Sequence, residues 1–199
     1  MKTEKGRKKK GAIFVISGPS GSGKTTLLRN VLLDKKLKKR LVRSISVTTR
    51  GKRSGEKEGK DYFFVTGPEF KKRLKEKKIL EWTRYLGYYY GTPREFVEKQ
   101  LERSKGVLLC LDIKGALRIK RLYPDCTVTI FVLPYSVDML AERIRQRCSK
   151  TKTEEIQKRV KLASRELRSS NIYDYSLVNK DLDKAIKELK NIIIKALKN

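Results

Sequence analysis

The run Gly18-Pro19-Ser20-Gly21-Ser22-Gly23-Lys24-Thr25-Thr26 stands between an apolar stretch, Ala12–Ser17, and a segment with helical character, Lys24–Leu33. It fits G-x-x-x-x-G-K-[ST] at every fixed position, in the strand-before, helix-after context that the pattern requires. Glycines let such a loop close around phosphates with successive backbone N–H groups aimed inward. The helix that follows adds its positive N-terminal end. In this geometry Lys24 reaches the β and γ phosphates of a nucleoside triphosphate, and Thr25 offers a hydroxyl to Mg²⁺. The other reading is a glycine-rich turn between strand and helix; the intact motif and its context favour the phosphate loop.

Outward from this loop, strand-like and helix-like segments alternate. Val107–Leu111 is a second apolar strand, followed by Asp112, and a helix runs on to Leu122. Thr127–Leu133 is a third strand, and a helix is expected from Val137 to about Arg147. Thr153–Arg168 reads as a charged helix, Tyr175–Val178 as a short strand, and Leu182–Leu197 as an amphipathic final helix. Buried strands alternating with helices imply an α/β fold: a parallel-sheet core with helices on both faces. Between residues 43 and 92 the rhythm breaks. Arg43–Val47, Tyr62–Val65 and a strand–turn–strand over Ile79–Tyr90 are short strands, with a helix over Pro68–Lys77, and read as an inserted mixed lobe. Pro93 marks the start of the next helix. The expected division is a basic, disordered tail at 1–10, a core of 11–42, 93–135 and 170–199, the lobe at 43–92, and a helical lid at about 136–169.

Composition narrows the class. The chain has 199 residues, enough for one domain with a sizeable core. Its longest apolar runs, Ala12–Ile16 and Val107–Leu111, are far too short to cross a membrane. The basic N-terminus lacks an apolar signal core, so no secretory signal is read. Three widely spaced cysteines and no histidine argue against a structural zinc site and fit a reducing cytoplasm. The formal net charge is +28, and the first ten residues, with six Lys/Arg and one Glu, account for only +5. A basic cleft attracts anionic nucleotides. The same surplus binds nucleic acid non-specifically at most, since no recognition motif or aromatic-interleaved basic repeat accompanies it. A lysine-rich proteome bias accounts for most of the surface excess.

The phosphate loop names a nucleotide but not its acceptor. Elsewhere stand Ser46-Val47-Thr48-Thr49-Arg50 and Arg53, Gly59-Lys60-Asp61-Tyr62-Phe63-Phe64, Glu81-Trp82, and Gly87-Tyr88-Tyr89-Tyr90-Gly91-Thr92. Two arginines three apart in a loop can clamp a phosphate through forked donors. A carboxylate such as Glu81 can accept from both N1–H and the 2-amino group of guanine. Singly, each also reads as a solvated arginine, a core tyrosine or a surface glutamate.

Jointly, from about Gly11 to the final helix, the chain resembles guanylate kinase. The pieces GPSGSGKTT, SVTTR, GKDYFFV, EWTRYLGYYYGT, LDIKGA and LVNKDLDKA come in that family's order. The resemblance implies transfer of the γ-phosphoryl group of ATP to GMP with Mg²⁺, in a P-loop core carrying a GMP-binding lobe and a lid. It implies that Gly18 to Thr26 and Asn179 hold ATP, with Asn179 beside the adenine. Arg50, Arg53, Tyr62 and Tyr90 match residues that hold the GMP phosphate. Ser46, Glu81 and Thr92 match those near the base. Asp112 matches an acid near the acceptor that reaches the metal through water. Lys24, Arg143, Arg147 and Arg159 match cations that act on the transferring phosphate, the last three in or beside the lid. The sequence departs from the family at Cys110, where an Asp is usual, and at Lys114, Cys148 and Lys180. A guanylate-kinase-like module that only binds proteins need not keep Lys24, Thr25 and the arginine pair. A P-loop kinase for another acceptor has no use for Ser46 and Glu81.

Overall fold

The structure, a computed structural model, describes residues 11–147, 153–168 and 170–198. The expected tail at 1–10, Cys148 and the segment 149–152 lie outside the described residues, as do the side chains of Arg147 and Arg159.

Strand β1 (Ala12–Ser17) lies at the centre of a sheet with β2 (Leu41–Arg43), β7 (Gly106–Cys110), β8 (Thr127–Pro134) and β9 (Tyr175–Asn179). The order is β2-β7-β1-β8-β9, and every pairing is parallel. Alternation along β1 explains the layers. Phe14 and Ile16 face one side, packed with Leu27, Leu28 and Val31 of α1 (Lys24–Leu33) and with Leu189 and Ile193 of α8 (Leu182–Lys198). Ile13 and Val15 face the other, packed with Val97 of α4 (Arg94–Glu102) and with Ala116 and Ile119 of α5 (Ile113–Leu122). A central parallel strand buried on both faces needs a helix layer on each, and its near-continuous apolar sequence follows from that.

A second sheet has the order β4-β3-β6-β5. It comprises β3 (Val47–Thr48), β4 (Phe63–Phe64), β5 (Ile79–Tyr85) and β6 (Tyr88–Pro93). Here β3 pairs parallel with β4 but antiparallel with β6, and β5 and β6 form a hairpin. Its small core gathers Val47 and Ile79 with Phe70 of α3 (Gly67–Lys75), and the Phe70 and Tyr89 rings stack with centroids 5.4 Å apart.

One expectation is corrected. Arg43–Val47 is not a single strand. The Ser44 N–H still bonds the Leu108 carbonyl of β7, whereas the Ser46 carbonyl accepts from Phe63 of β4. The chain therefore changes sheets within three residues, and Leu41–Arg43 forms an edge of the core that the sequence reading missed. The short helix α2 (Lys35–Lys38) was also missed; it is capped by Asp34, whose side chain accepts from the N–H groups of Lys36 and Leu37. Helices α6 (Val137–Arg147) and α7 (Thr153–Leu167) pack through Leu140, Ile144 and Ala163. Among the described residues no helix is long and apolar enough to cross a membrane.

Candidate active site

The C-terminal ends of β1 and β7 open into a cleft of about 640 Å³, and the second sheet supplies its other side. Ligands of open parallel sheets bind at this end of the strands. At one end of the cleft lies the loop after β1. Gly23, the N-cap of α1, has φ 93°, and a Cβ there would fall 2.2 Å from the Asn179 amide nitrogen. Only glycine fits both the left-handed backbone and that approach. The buried Asn179 donates to the Ser22 carbonyl at 2.8 Å, so the end of β9 braces the loop. The ammonium of Lys24 donates to the carbonyls of Gly18 at 2.6 Å and Pro19 at 2.8 Å. Arg143 of α6 reaches over to the Gly21 carbonyl at 3.4 Å.

The opposite end is built of side chains. Arg50, 7% exposed, places its guanidinium 5.3 Å from the Tyr62 ring centre and 5.8 Å from that of Phe64. Tyr62 and Tyr90 meet edge to face at 5.9 Å. Burial works against the Arg50 charge, but the Glu56 carboxylate and Tyr90 more than offset it, so its pKa lies above the ordinary value.

Glu81, on β5, is 5% exposed and accepts from the Thr92 hydroxyl at 2.5 Å. Its other oxygen lies against α5. A Cβ on Gly115 would stand 2.7 Å from Glu81 Oε2, so a side chain there would displace the carboxylate. Burial pushes Glu81 up to about 7; the Thr92 hydrogen bond pulls it down, and the Asp112 charge adds to the rise. Asp112 is the N-cap of α5 and accepts from the Gly115 N–H at 2.8 Å.

The cleft brings together most of the residues read from the sequence. Gly18, Ser20, Gly21, Gly23, Lys24, Thr25, Thr26, Ser46, Arg50, Arg53, Tyr62, Glu81, Tyr90, Asp112, Arg143 and Asn179 all line it. Pro19, Ser22 and Thr92 do not. The Pro19 carbonyl holds Lys24, the Ser22 carbonyl holds Asn179, and Thr92 acts on Glu81. Arg147 and Arg159 belong to α6 and α7, with side chains outside the described residues.

Sequence reasoning missed Ser44 and Glu166, which also line the cleft, as does Lys180, read from the sequence only as a departure from the family. The Ser44 hydroxyl is buried with no hydrogen-bond partner. Lys180 lies 4.4 Å from the centre of the Tyr135 ring. Glu166, on α7, is pushed up to about 7 by burial; Lys24 pulls it down and Asp112 adds to the rise. No local sequence signal set Glu166 apart, since its helix also carries Glu154 and Glu155.

Comparison with known proteins gives the family. The guanylate kinase family model matches residues 10–196. A guanylate kinase of Caldanaerobacter subterraneus subsp. tengcongensis is 46% identical over 187 residues, 94% of this chain and 88% of that protein. One from Synechocystis is 45% identical over 92% of this chain and 94% of its own length. The crystal structure of guanylate kinase from Anaplasma phagocytophilum superposes with a TM-score of 0.78 at 33% identity, covering 96% of this chain and 89% of that one. The chain belongs to the guanylate kinase family.

Proposed function

We propose that the cleft transfers the γ-phosphoryl group of ATP to GMP, with ATP on the phosphate loop and GMP against the second sheet. The observation that carries this reading is the pairing of two unlike phosphate-binding ends in one cleft: the loop with Lys24 at one, Arg50, Arg53, Tyr62 and Tyr90 at the other. Two anion sites facing each other need in-line transfer and little covalent chemistry. A phosphate oxygen of GMP attacks the γ-phosphorus, and the bond to the β–γ bridging oxygen breaks as ADP leaves. The attacking oxygen is already an anion, so no general base is required. Lys24 and Arg143 would offset charge on the transferring group, and Arg147 and Arg159 of α6 and α7 are proposed to join them when the lid closes.

The oxygen donors at the loop suit magnesium. Among the described residues, no three acidic, cysteine or histidine side chains gather as a protein cage. A hard cation that keeps waters and takes substrate phosphates needs only one or two protein oxygens. The Thr25 hydroxyl and, through water, the Asp112 carboxylate would supply them. The ion, when bound, neutralises phosphate charge.

Base selection falls to Glu81 with Ser46. A carboxyl raised from 4.5 to about 7 costs its ionised form roughly 3 kcal/mol in this site. Two guanine N–H donors offset that cost, and adenine offers no such pair. The test is a coupled assay of ADP formation with GMP, AMP, CMP and UMP as acceptors. Turnover with GMP alone is expected; equal rates with AMP would overturn the assignment of the acceptor.

A further inference from the structure

Glu56 takes no part in the scheme above, yet it touches both members of the arginine pair. Its carboxylate receives Arg50 Nη2 at 2.7 and 2.9 Å, while Arg50 Nη1 donates to the Gly51 carbonyl at 2.7 Å. The Arg53 main-chain N–H donates to Glu56 Oε2 at 2.9 Å, and the Glu56 N–H returns a bond to the Arg53 carbonyl at 3.1 Å. Hydrogen bonds from both arginines outweigh burial and hold the Glu56 pKa below the ordinary carboxylate range.

Arg50 is also held by Thr48 Oγ1, which accepts its N–H at 3.1 Å, and by the Tyr62 and Phe64 rings, but the loop that follows it has little else to hold it. Residues 51–55 are exposed, and beyond their chain neighbours neither Gly51 nor Gly55 has an atom within 4 Å of where a Cβ would stand. A carboxylate beside a phosphate clamp can do one of two things. It can occupy the phosphate's place until substrate displaces it, or it can hold the clamp in shape. Position separates the two. Arg50 and Arg53 line the cleft and Glu56 does not, so the carboxylate stands behind the guanidinium rather than in front of it. It also binds the Arg53 main chain, which a stand-in for phosphate has no need to do.

We propose that Glu56 is a positioning residue, bracing Arg50 from behind and pinning the Arg53 backbone so that the spacing of the two arginines is set before the acceptor phosphate arrives. This rests on the reading of the arginine pair as the GMP clamp. Fixing the clamp in advance removes an ordering cost from binding.

The experiment measures initial rates for wild type, Glu56→Ala, Glu56→Gln and Glu56→Asp, varying GMP and MgATP in turn. Glu56→Ala is expected to raise KM for GMP about tenfold or more, with kcat and KM for ATP changed less than about threefold. Glu56→Gln faces the Arg53 N–H with an amide and falls between. Glu56→Asp keeps the charge and restores part of the loss. In an Arg50→Ala background, Glu56→Ala adds less than about threefold, because residues acting as one unit are not additive. If Glu56→Ala is poorly folded by thermal melt, the Gln and Asp variants carry the comparison. A KM for GMP that is unchanged or lowered, or a parallel rise in KM for ATP, overturns the positioning role. Wild type that turns over GMP while the Glu56 variants keep its KM sinks this proposal alone. Wild type inactive on GMP sinks the clamp reading and this proposal with it.

Discussion

The phosphate-loop end of the cleft is shaped by its main chain; the second-sheet end is shaped by side chains. The loop keeps its shape through glycine backbone angles and carbonyls held by Lys24 and Asn179. The other end keeps its shape through ion pairs and hydroxyls on short strands and an exposed loop. In the proposed scheme the first arrangement grips any polyphosphate, because N–H groups and a helix terminus carry no information about the base. The second can discriminate, since each side chain presents a particular donor or acceptor in a desolvated place. The two ends should therefore fail differently when broken.

The largest effect is expected at the loop. Lys24→Ala should cut kcat roughly a thousandfold, since a cation on the transferring phosphate acts most in the transition state. Circular dichroism should be unchanged, because the Lys24 ammonium bonds the loop carbonyls of Gly18 and Pro19 and belongs to none of the apolar core clusters. Near-normal turnover would remove the loop from the chemistry.

At the other end the loss should show in the acceptor alone. Arg50→Ala should raise KM for GMP about a hundredfold, as truncating a buried hydrogen-bonded charge costs 2–5 kcal/mol, with KM for ATP changed only a few fold. An equal rise for both substrates would mean that the two ends are not separate sites. Glu81→Gln should lower the ratio of kcat/KM for GMP over AMP by roughly ten- to a hundredfold, mainly through poorer use of GMP. One guanine donor then meets an amide donor, and a buried unpaired group costs about 1–3 kcal/mol. An unchanged ratio would leave the base reader to be sought elsewhere.

The same contrast explains what could be read in advance. The loop is contiguous: nine residues in one run carry both its shape and its chemistry, so a local pattern suffices. The parallel core was legible because burial on both faces writes unbroken apolar strands such as Val107–Leu111. The second end is assembled from residues 46 to 112, and each is ordinary alone; only their joint order pointed to a site. Glu56 and Gly115 were quoted inside motifs or lay beside them, yet their roles depend on what stands opposite in space. Nothing local marks Glu56 as the partner of Arg50 or Gly115 as the gap that admits Glu81. Glu166 was hidden for the same reason, since its helix reaches the cleft only through tertiary packing. The split of Arg43–Val47 was missed because a run of alternating residues does not say that its two halves pair with different sheets.

The smallest effect gives the sharpest test of how the side-chain end is tuned. Thr92 is 1% exposed and does not line the cleft, so it influences guanine only through its hydrogen bond to Glu81. That bond favours the ionised carboxylate, opposing burial and the nearby Asp112. Replacing Thr92 by Val keeps the shape and deletes the donor, so the Glu81 pKa should rise from about 7 by roughly one unit. In the proposed scheme guanine needs the ionised form. In wild type, kcat/KM for GMP should be at its plateau above the pKa and fall about tenfold per pH unit below it. In Thr92→Val the break should move to higher pH by the same unit, so the two enzymes differ most at and below pH 7 and converge toward pH 9. Glu166 titrates in the same range but lies by Lys24, so its contribution should appear equally in both enzymes and in the profile for ATP. The GMP phosphate ionises identically in both assays and cancels in the comparison. Parallel profiles with a constant offset at every pH would show that Thr92 only fills space, and that the carboxylate is set by burial and Asp112 without it.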